Sequence, residues 1–438
     1  MPNSEFPNAE NPIFSRETSL RQRGYRGDIF RYRSTFYLKL FFLNIFFRIL
    51  LLSCQLKKKI LFVNIQMLCF DAMLDLLTNV KYLIKLDQVC IDNNVFRLHY
   101  KATSFLLAIC SIIVTSKQYI GDPIDCVLDS NLDQEAINTY CWIFSTFTIS
   151  NGDGTTGKKH RAEPYPGVGN EYEGSEIVHQ KYYQWVCFIL AIQAAMFIFP
   201  HCLWRVWEGG RIKMLVADLG SPMTENWTEE RKKQTIKYLS SSKLHNLKLY
   251  ALQFLFCEFL NVLNIILQIY VWNQVFDRKF LTFGPDVIRY ANSEEPDAYD
   301  PISSLFPKMT KCTFLYYGPS GSVQRVDAVC VLPLNIVNEK MFIFLWFWFF
   351  FLGVTTIAGF VYDIILFREK TVRVYVLQAQ ARYVSRVIIT TIVNKGNLGD
   401  WFLLHQLARS MNPFVFGDLL VELADELNHG KNDLQLSV

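Results

Sequence analysis

The sequence predicts an all-α polytopic membrane protein in which four helices cross the bilayer and two long, cysteine-bearing loops face outward. Three observations carry that expectation. Four stretches are long and apolar enough to span, lysine and arginine are unevenly shared among the connections, and four cysteines fall in two of those connections. Composition agrees: 51% of the residues are hydrophobic and 15% aromatic, a balance rare in a chain that is soluble throughout.

A spanning helix needs about 20 mostly apolar residues, because the hydrocarbon core is about 30 Å thick and each residue rises about 1.5 Å. The first stretch, 100–119, keeps Lys101 and Lys117 near its ends, where long apolar stems let the ammonium groups reach the interface. The second, 182–206, opens with Tyr182, Tyr183, Gln184, Trp185 and Val186 and closes with PHCLWRV, so amphipathic rings fall at both expected interfaces. Pro200 lies inside it, removes one backbone donor and is expected to kink the helix. The third, 247–272, holds one acid, Glu258, among apolar residues. An acid at that depth is costly. It either faces a water-filled path or is held by a hydrogen bond from a neighbouring helix, and the sequence leaves both open. The fourth, 341–367, is the most apolar and carries Asp363 only near its end.

Orientation follows lysine and arginine rather than net charge. Nine of them lie between 205 and 248, including Arg231, Lys232 and Lys233, and Arg368, Lys370, Arg373, Arg382 and Arg386 follow the fourth span. The loop 207–246 and the C-terminal region 368–438 are therefore expected in the cytoplasm. The loop 120–181 has four basic residues against ten acids, which suits an outward position. The loop 273–340, at seven against eight, is indecisive, and its outward position follows from span parity. Both termini are then cytoplasmic.

Of eleven cysteines, Cys126 and Cys141 lie in the first outer loop and Cys312 and Cys330 in the second. An even number of thiols in an oxidising compartment reads as disulfides, and the three possible pairings stay open. The other cysteines read as small buried hydrophobes. The outer loops are rich in turn residues, with GDP at 121–123, PYPGVGN at 164–170 and YGPSGS at 317–322. The only glycosylation sequon, at Asn226, falls on the expected cytoplasmic side, which leaves the outer loops bare for close protein contact.

The front of the chain fits less well. Residues 1–35 are polar, with six arginines and four acids, and read as a loosely structured arm. Within the extension 1–66, a hydrophobic segment at 36–54 precedes Lys57, Lys58 and Lys59. Lys39 and Arg48 fall inside it, each costing about 2.5–3.5 kcal/mol at a helix centre. The segment reads as an interfacial helix, a further span, or a stretch outside the working protein.

Catalytic and ligand-binding chemistry find little footing. The run from Gly152 to Lys159 approaches a phosphate-cradling loop, but Lys159 stands where a magnesium-binding hydroxyl is required. The seven histidines show no metal-ligand spacing, His201 beside Cys202 being a lone pair. No nucleophile turn is present. No catalytic residue, metal, cofactor or nucleic-acid partner is expected; membrane lipid is.

Several blocks, taken together, resemble the innexins, the invertebrate gap-junction proteins, with a flavour closest to those of insects. They are Tyr182 to Val186 with Pro200, DNNVFRLHYK (92–101), QYIGDPIDC (118–126), YCWIFSTFT (140–148), KCTFLYYGPSGSVQ (311–324), CVLPLNIVNEK (330–340) and GNLGDWFLLHQL (396–407). The resemblance covers about residues 73–425. It implies a four-span subunit at the plasma membrane, two outer loops joined to one another by disulfides, and a helical cytoplasmic domain built from the 207–247 loop and the C-terminal region. Carried over, the pairing is Cys126 with Cys330 and Cys141 with Cys312. Subunits of the family, alone or mixed, ring a pore, typically as octamers, and dock with the hemichannel of the adjacent cell. The segment 67–99 then corresponds to the family's cytoplasmic N-terminal segment, which shapes the pore mouth; the preceding extension puts pore lining by residues 74–85 in doubt. The implied function is passive passage of ions and small molecules between cells. The alternatives are an undocked, pannexin-like hemichannel that releases small molecules, and a four-span adhesion protein without a pore.

Overall fold

The computed structural model describes residues 91–127, 133–150, 167–169, 176–216, 236, 245–293 and 300–435. The hydrophobic segment at 36–54, residues 74–85, the glycine-rich run at 152–159 and the Asn226 sequon lie outside these residues.

Helix α1 (Asn94–Tyr119) starts ahead of the apolar run that marks it in sequence. Asn93, in extended conformation, accepts a hydrogen bond from the Phe96 N–H and so satisfies one of the open donors of the first turn. A π-helical turn occupies Leu98–Thr103. The first loop then forms β1 (Asp125–Val127), α2 (Gln134–Phe144), β2 (Thr146–Ser150) and β3 (Glu176–Gln180). Helix α3 (Val186–Glu208) runs unbroken through Pro200 and stops at Gly209, whose φ of 63° lies in the left-handed region that glycine adopts without strain. The short α4 (Arg211–Val216) follows.

Helix α5 (His245–Val275) leads into the second loop, made of α6 (Phe280–Ala291), α7 (Pro301–Leu305), β4 (Met309–Tyr317) and β5 (Val323–Val331). Helix α8 (Pro333–Arg368) opens with proline in its first turn, where the missing N–H costs nothing. At about 1.5 Å per residue, α5 and α8 are roughly 46 and 54 Å long, well beyond a hydrocarbon core of about 30 Å. Among the described residues, four helices, α1, α3, α5 and α8, are long and apolar enough to cross a membrane. The chain closes with α9 (Lys370–Gln380), α10 (Arg386–Lys395), α11 (Leu398–Ser410) and α12 (Pro413–Gln435).

The expected helical architecture holds for the spans and the C-terminal region, but the two loops are more than turns. Together they build one five-stranded sheet in the order β1-β5-β4-β2-β3, antiparallel throughout. The reason lies in MTKCTFLYY and VQRVDAVCV, two runs rich in β-branched and aromatic residues on either side of a Gly-Pro-Ser-Gly turn. Attention to the turn residues alone passes over that hairpin.

Two apolar cores follow. At the sheet end, Leu107, Val114, Leu190 and Phe197 join Trp272, Phe276, Phe306, Phe342 and Phe349. At the opposite end, Trp204, Ile212, Tyr250 and Phe254 join Leu377, Ile389, Phe402, Leu403 and Leu420, so α4 and α9–α12 share a core with the ends of α3 and α5. Helix α11 approaches α5 so closely that a Cβ on Gly399 would lie 2.2 Å from the Leu247 carbonyl carbon. Backbone cannot yield there as a side chain would. Gly399→Ala should cost about 1–3 kcal/mol or more by overpacking, read as a lower thermal midpoint of the detergent-solubilised protein. Gly417→Ala, whose new carbon would meet only Val384 Cγ2 at 3.4 Å, should leave that midpoint nearly unchanged.

Candidate functional site

The sheet end is organised by the four loop cysteines. Cys126 on β1 is bonded to Cys330 on β5, its direct cross-strand partner, and Cys141 on α2 is bonded to Cys312 on β4. Of the three pairings open to four thiols, this is the one the family resemblance implied. Both bonds join one loop to the other. The sulfurs of Cys126, Cys141 and Cys330 lie within 4.8 Å of one another, so the two bonds sit side by side as a single buried knot. Closing chain segments of 204 and 171 residues restricts the unfolded chain strongly, on the order of 2–5 kcal/mol for each bond.

The residues Tyr182 to Val186 attach this knot to the bundle. Tyr182, Tyr183 and Gln184 form a single 3₁₀ turn that leads into α3. The Tyr182 hydroxyl donates to the Leu305 carbonyl at 3.0 Å, and its ring meets Phe276 and Phe306, all from the second loop or its base. Tyr183 is buried against Trp142 of α2, and Gln184 donates to the Trp142 carbonyl. Val186 is fully buried, whereas Trp185 is half exposed. The motif therefore ties one span to both loops. A second tie, which the sequence reading did not single out, is Glu339 at the start of α8. It is buried between Lys308 at 2.9 Å and Lys340 at 2.7 Å.

At the other end of the bundle Glu258 is fully buried on α5. Asn93 donates through Nδ2 to Glu258 Oε1 at 2.8 Å and to Asp363 Oδ2 of α8 at 3.3 Å, while its Oδ1 caps α1. One amide thus joins three spanning helices. Glu258 is hydrogen-bonded from a neighbouring helix. Beside it His201, on α3 near Pro200, places Nδ1 3.7 Å from the buried Asp92 carboxylate and stacks on Tyr100. Asn261, Asn264 and Gln268 continue the polar row along the buried side of α5, with Gln268 donating to Asn264 at 2.8 Å. The signal for this row was the spacing of about one helical turn from Glu258. Asn93 gave no such signal, because it precedes the apolar run.

Outside the spans, His405 of α11 stacks on Trp401 and lies 3.1 Å from Gln380. Burial, and secondarily the nearby Arg409, push its imidazole down to about 4 from 6.5.

Two predictions follow from these contacts. Asn93→Asp keeps an acceptor for the α1 cap but removes the donor and adds an acid between Glu258 and Asp363. It should lower stability by about 1–3 kcal/mol or more, with partial recovery when Glu258→Gln is added; thermal midpoints of the purified protein test both. Because the folded pKa of His405 lies below the unfolded one, its neutral form stabilises the fold above pH 6.5. That stability declines as pH falls toward about 4. The slope should reach about 1 kcal/mol per pH unit and flatten in His405→Gln, measured as the pH dependence of the same midpoint.

Comparison with known proteins adds a family to this geometry. The sequence profile of the innexins matches residues 92–427. Innexin inx2 of Schistocerca americana is 49% identical over 357 residues, covering 81% of this chain and 98% of that protein. Innexin inx2 of Drosophila melanogaster is 46% identical over 359 residues, 81% of this chain and 96% of the relative. Innexin shaking-B of the same fly is 41% identical over 363 residues, 82% and 96% respectively. A profile that spans most of the chain, with relatives at this identity along nearly their whole length, shows that the chain belongs to the innexin family.

Proposed function

We propose that this chain is a structural subunit of gap junctions. Copies of it, alone or mixed with other innexins, ring a pore as an octameric hemichannel that docks with the hemichannel of the adjacent cell. The observation that carries this reading is the fusion of both loops into one disulfide-knotted sheet at one end of the bundle. A rigid, cross-linked platform suits a surface that must meet its counterpart without paying for loop ordering.

Disulfides persist in oxidising surroundings, which supports an outward position for the sheet. The helical domain around α9–α12 is then cytoplasmic, as are both termini. Ions and small molecules pass passively, selected by pore radius and by the charges along its wall rather than by chemistry at a bound substrate.

Paired-cell recording tests the reading. Cells expressing the chain should show junctional conductance, and Cys141→Ser should abolish it while surface labelling still finds the subunit in the plasma membrane. Conductance that persists in Cys141→Ser pairs would count against the docking role of the knot.

A further inference from the structure

The sheet is not covered evenly. β4 and β5 pair along their whole length, from Met309 opposite Val331 to Tyr317 opposite Val323. Among the described residues, the flanking strands pair only with the base of this ribbon. Among the same residues, β1 pairs with β5 as far as Val127 opposite Val329, and β2 meets β4 at Lys311 alone.

Along an antiparallel strand, residues alternate between turning their N–H and C=O toward one neighbour and turning them away. The hairpin bond from the Gly318 N–H to the Ser322 carbonyl, at 2.9 Å, fixes the phase. Gly318, Tyr316 and Phe314 bond inward to β5. Thr313, Leu315 and Tyr317 therefore turn their backbone groups outward on β4, as Val323, Arg325 and Asp327 do on β5. Lys311 and Val329, where β2 and β1 add, share this phase. Among the described residues, no backbone hydrogen bond reaches the outward groups of Thr313, Leu315 or Tyr317.

The two edges differ in charge. The β5 edge carries Arg325 and Asp327, exposed and 3.6 Å apart. The β4 edge is uncharged, with Leu315 50% and Tyr317 77% exposed. Natural sheets usually blunt such an edge with charge or proline, and an unblunted one is suited to receiving a strand.

We propose that the β4 edge is a strand-addition site for β4 of a second copy of this chain, paired antiparallel about a two-fold axis at Leu315. The proposal rests on the gap-junction reading, because two rings meeting head to head relate opposed subunits by two-fold axes. A strand pairing antiparallel with its own copy is isologous, whereas neighbours around one ring meet heterologously. Centring on Leu315 sets Leu315 opposite its own copy and Thr313 opposite Tyr317, which uses all three outward positions. Centring one residue earlier would engage Lys311, which β2 already occupies. Self-pairing of the β5 edge about its middle would oppose Arg325 to Arg325, a like-charge contact that disfavours it.

Charge variants at Leu315 test this in paired cells. Leu315→Lys against itself, and Leu315→Glu against itself, should each lose junctional conductance by about tenfold or more, because like charges meet at every two-fold axis. A Lys-variant cell paired with a Glu-variant cell should recover most of the wild-type conductance. Like-charge pairs that couple as well as wild type, or mixed pairs no better than like-charge pairs, would overturn the proposal. Wild-type pairs without coupling would overturn the gap-junction reading itself. If the charge variants do not reach the surface, Leu315→Cys takes their place. Oxidation should then cross-link differently tagged copies from apposed cells, and the absence of that product would overturn the proposal.

Discussion

The structure depends on the covalent joining of two loops that are far apart in sequence. Without the bonds from Cys126 to Cys330 and from Cys141 to Cys312, β1 and α2 would have only noncovalent contact with the β4–β5 hairpin. With them, the first and second loops become one body. That body holds the ends of the spans, since Tyr182 bonds Leu305 and Gln184 bonds Trp142. Glu339, buried against Lys308, fixes the entrance to α8 in the same way.

Away from that end the bundle relies on side-chain polarity. Lipid tails are as apolar as leucine, so the hydrophobic effect does little to hold helices together inside a bilayer; packing and interhelical hydrogen bonds do that work. His99 meets Thr356 at 2.7 Å, Trp348 donates to Thr103 at 3.0 Å, and Trp272 donates to Gln193 at 2.8 Å. Asn93 completes the series by engaging α5 and α8 from the start of α1. These bonds run from one end of the bundle to the other.

Much of this was legible in the sequence, for identifiable reasons. Hydropathy finds the four spans because it measures what lipid measures. It misses their ends, because Asn335, Asn338 and Glu339 belong to α8 yet are polar and buried in protein. The cysteines announced disulfides, but their pairing is a matter of register, Cys126 opposite Cys330, that composition does not encode. The sheet went unread because Gly318, Pro319 and Gly321 drew attention to the turn and away from the alternating runs on either side. Glu258 was conspicuous as an acid among apolar residues. Its partner Asn93 was not, since polar residues before a span are ordinary and its bridging position appears only when three helices are brought together.

The two loops are locked to each other rather than each to itself. Peptide mapping of the unreduced protein by mass spectrometry addresses this directly. Cross-linked peptides that join Cys126 to Cys330 and Cys141 to Cys312 are expected. Recovery of a Cys126–Cys141 peptide, or of these four residues as free thiols, would contradict it.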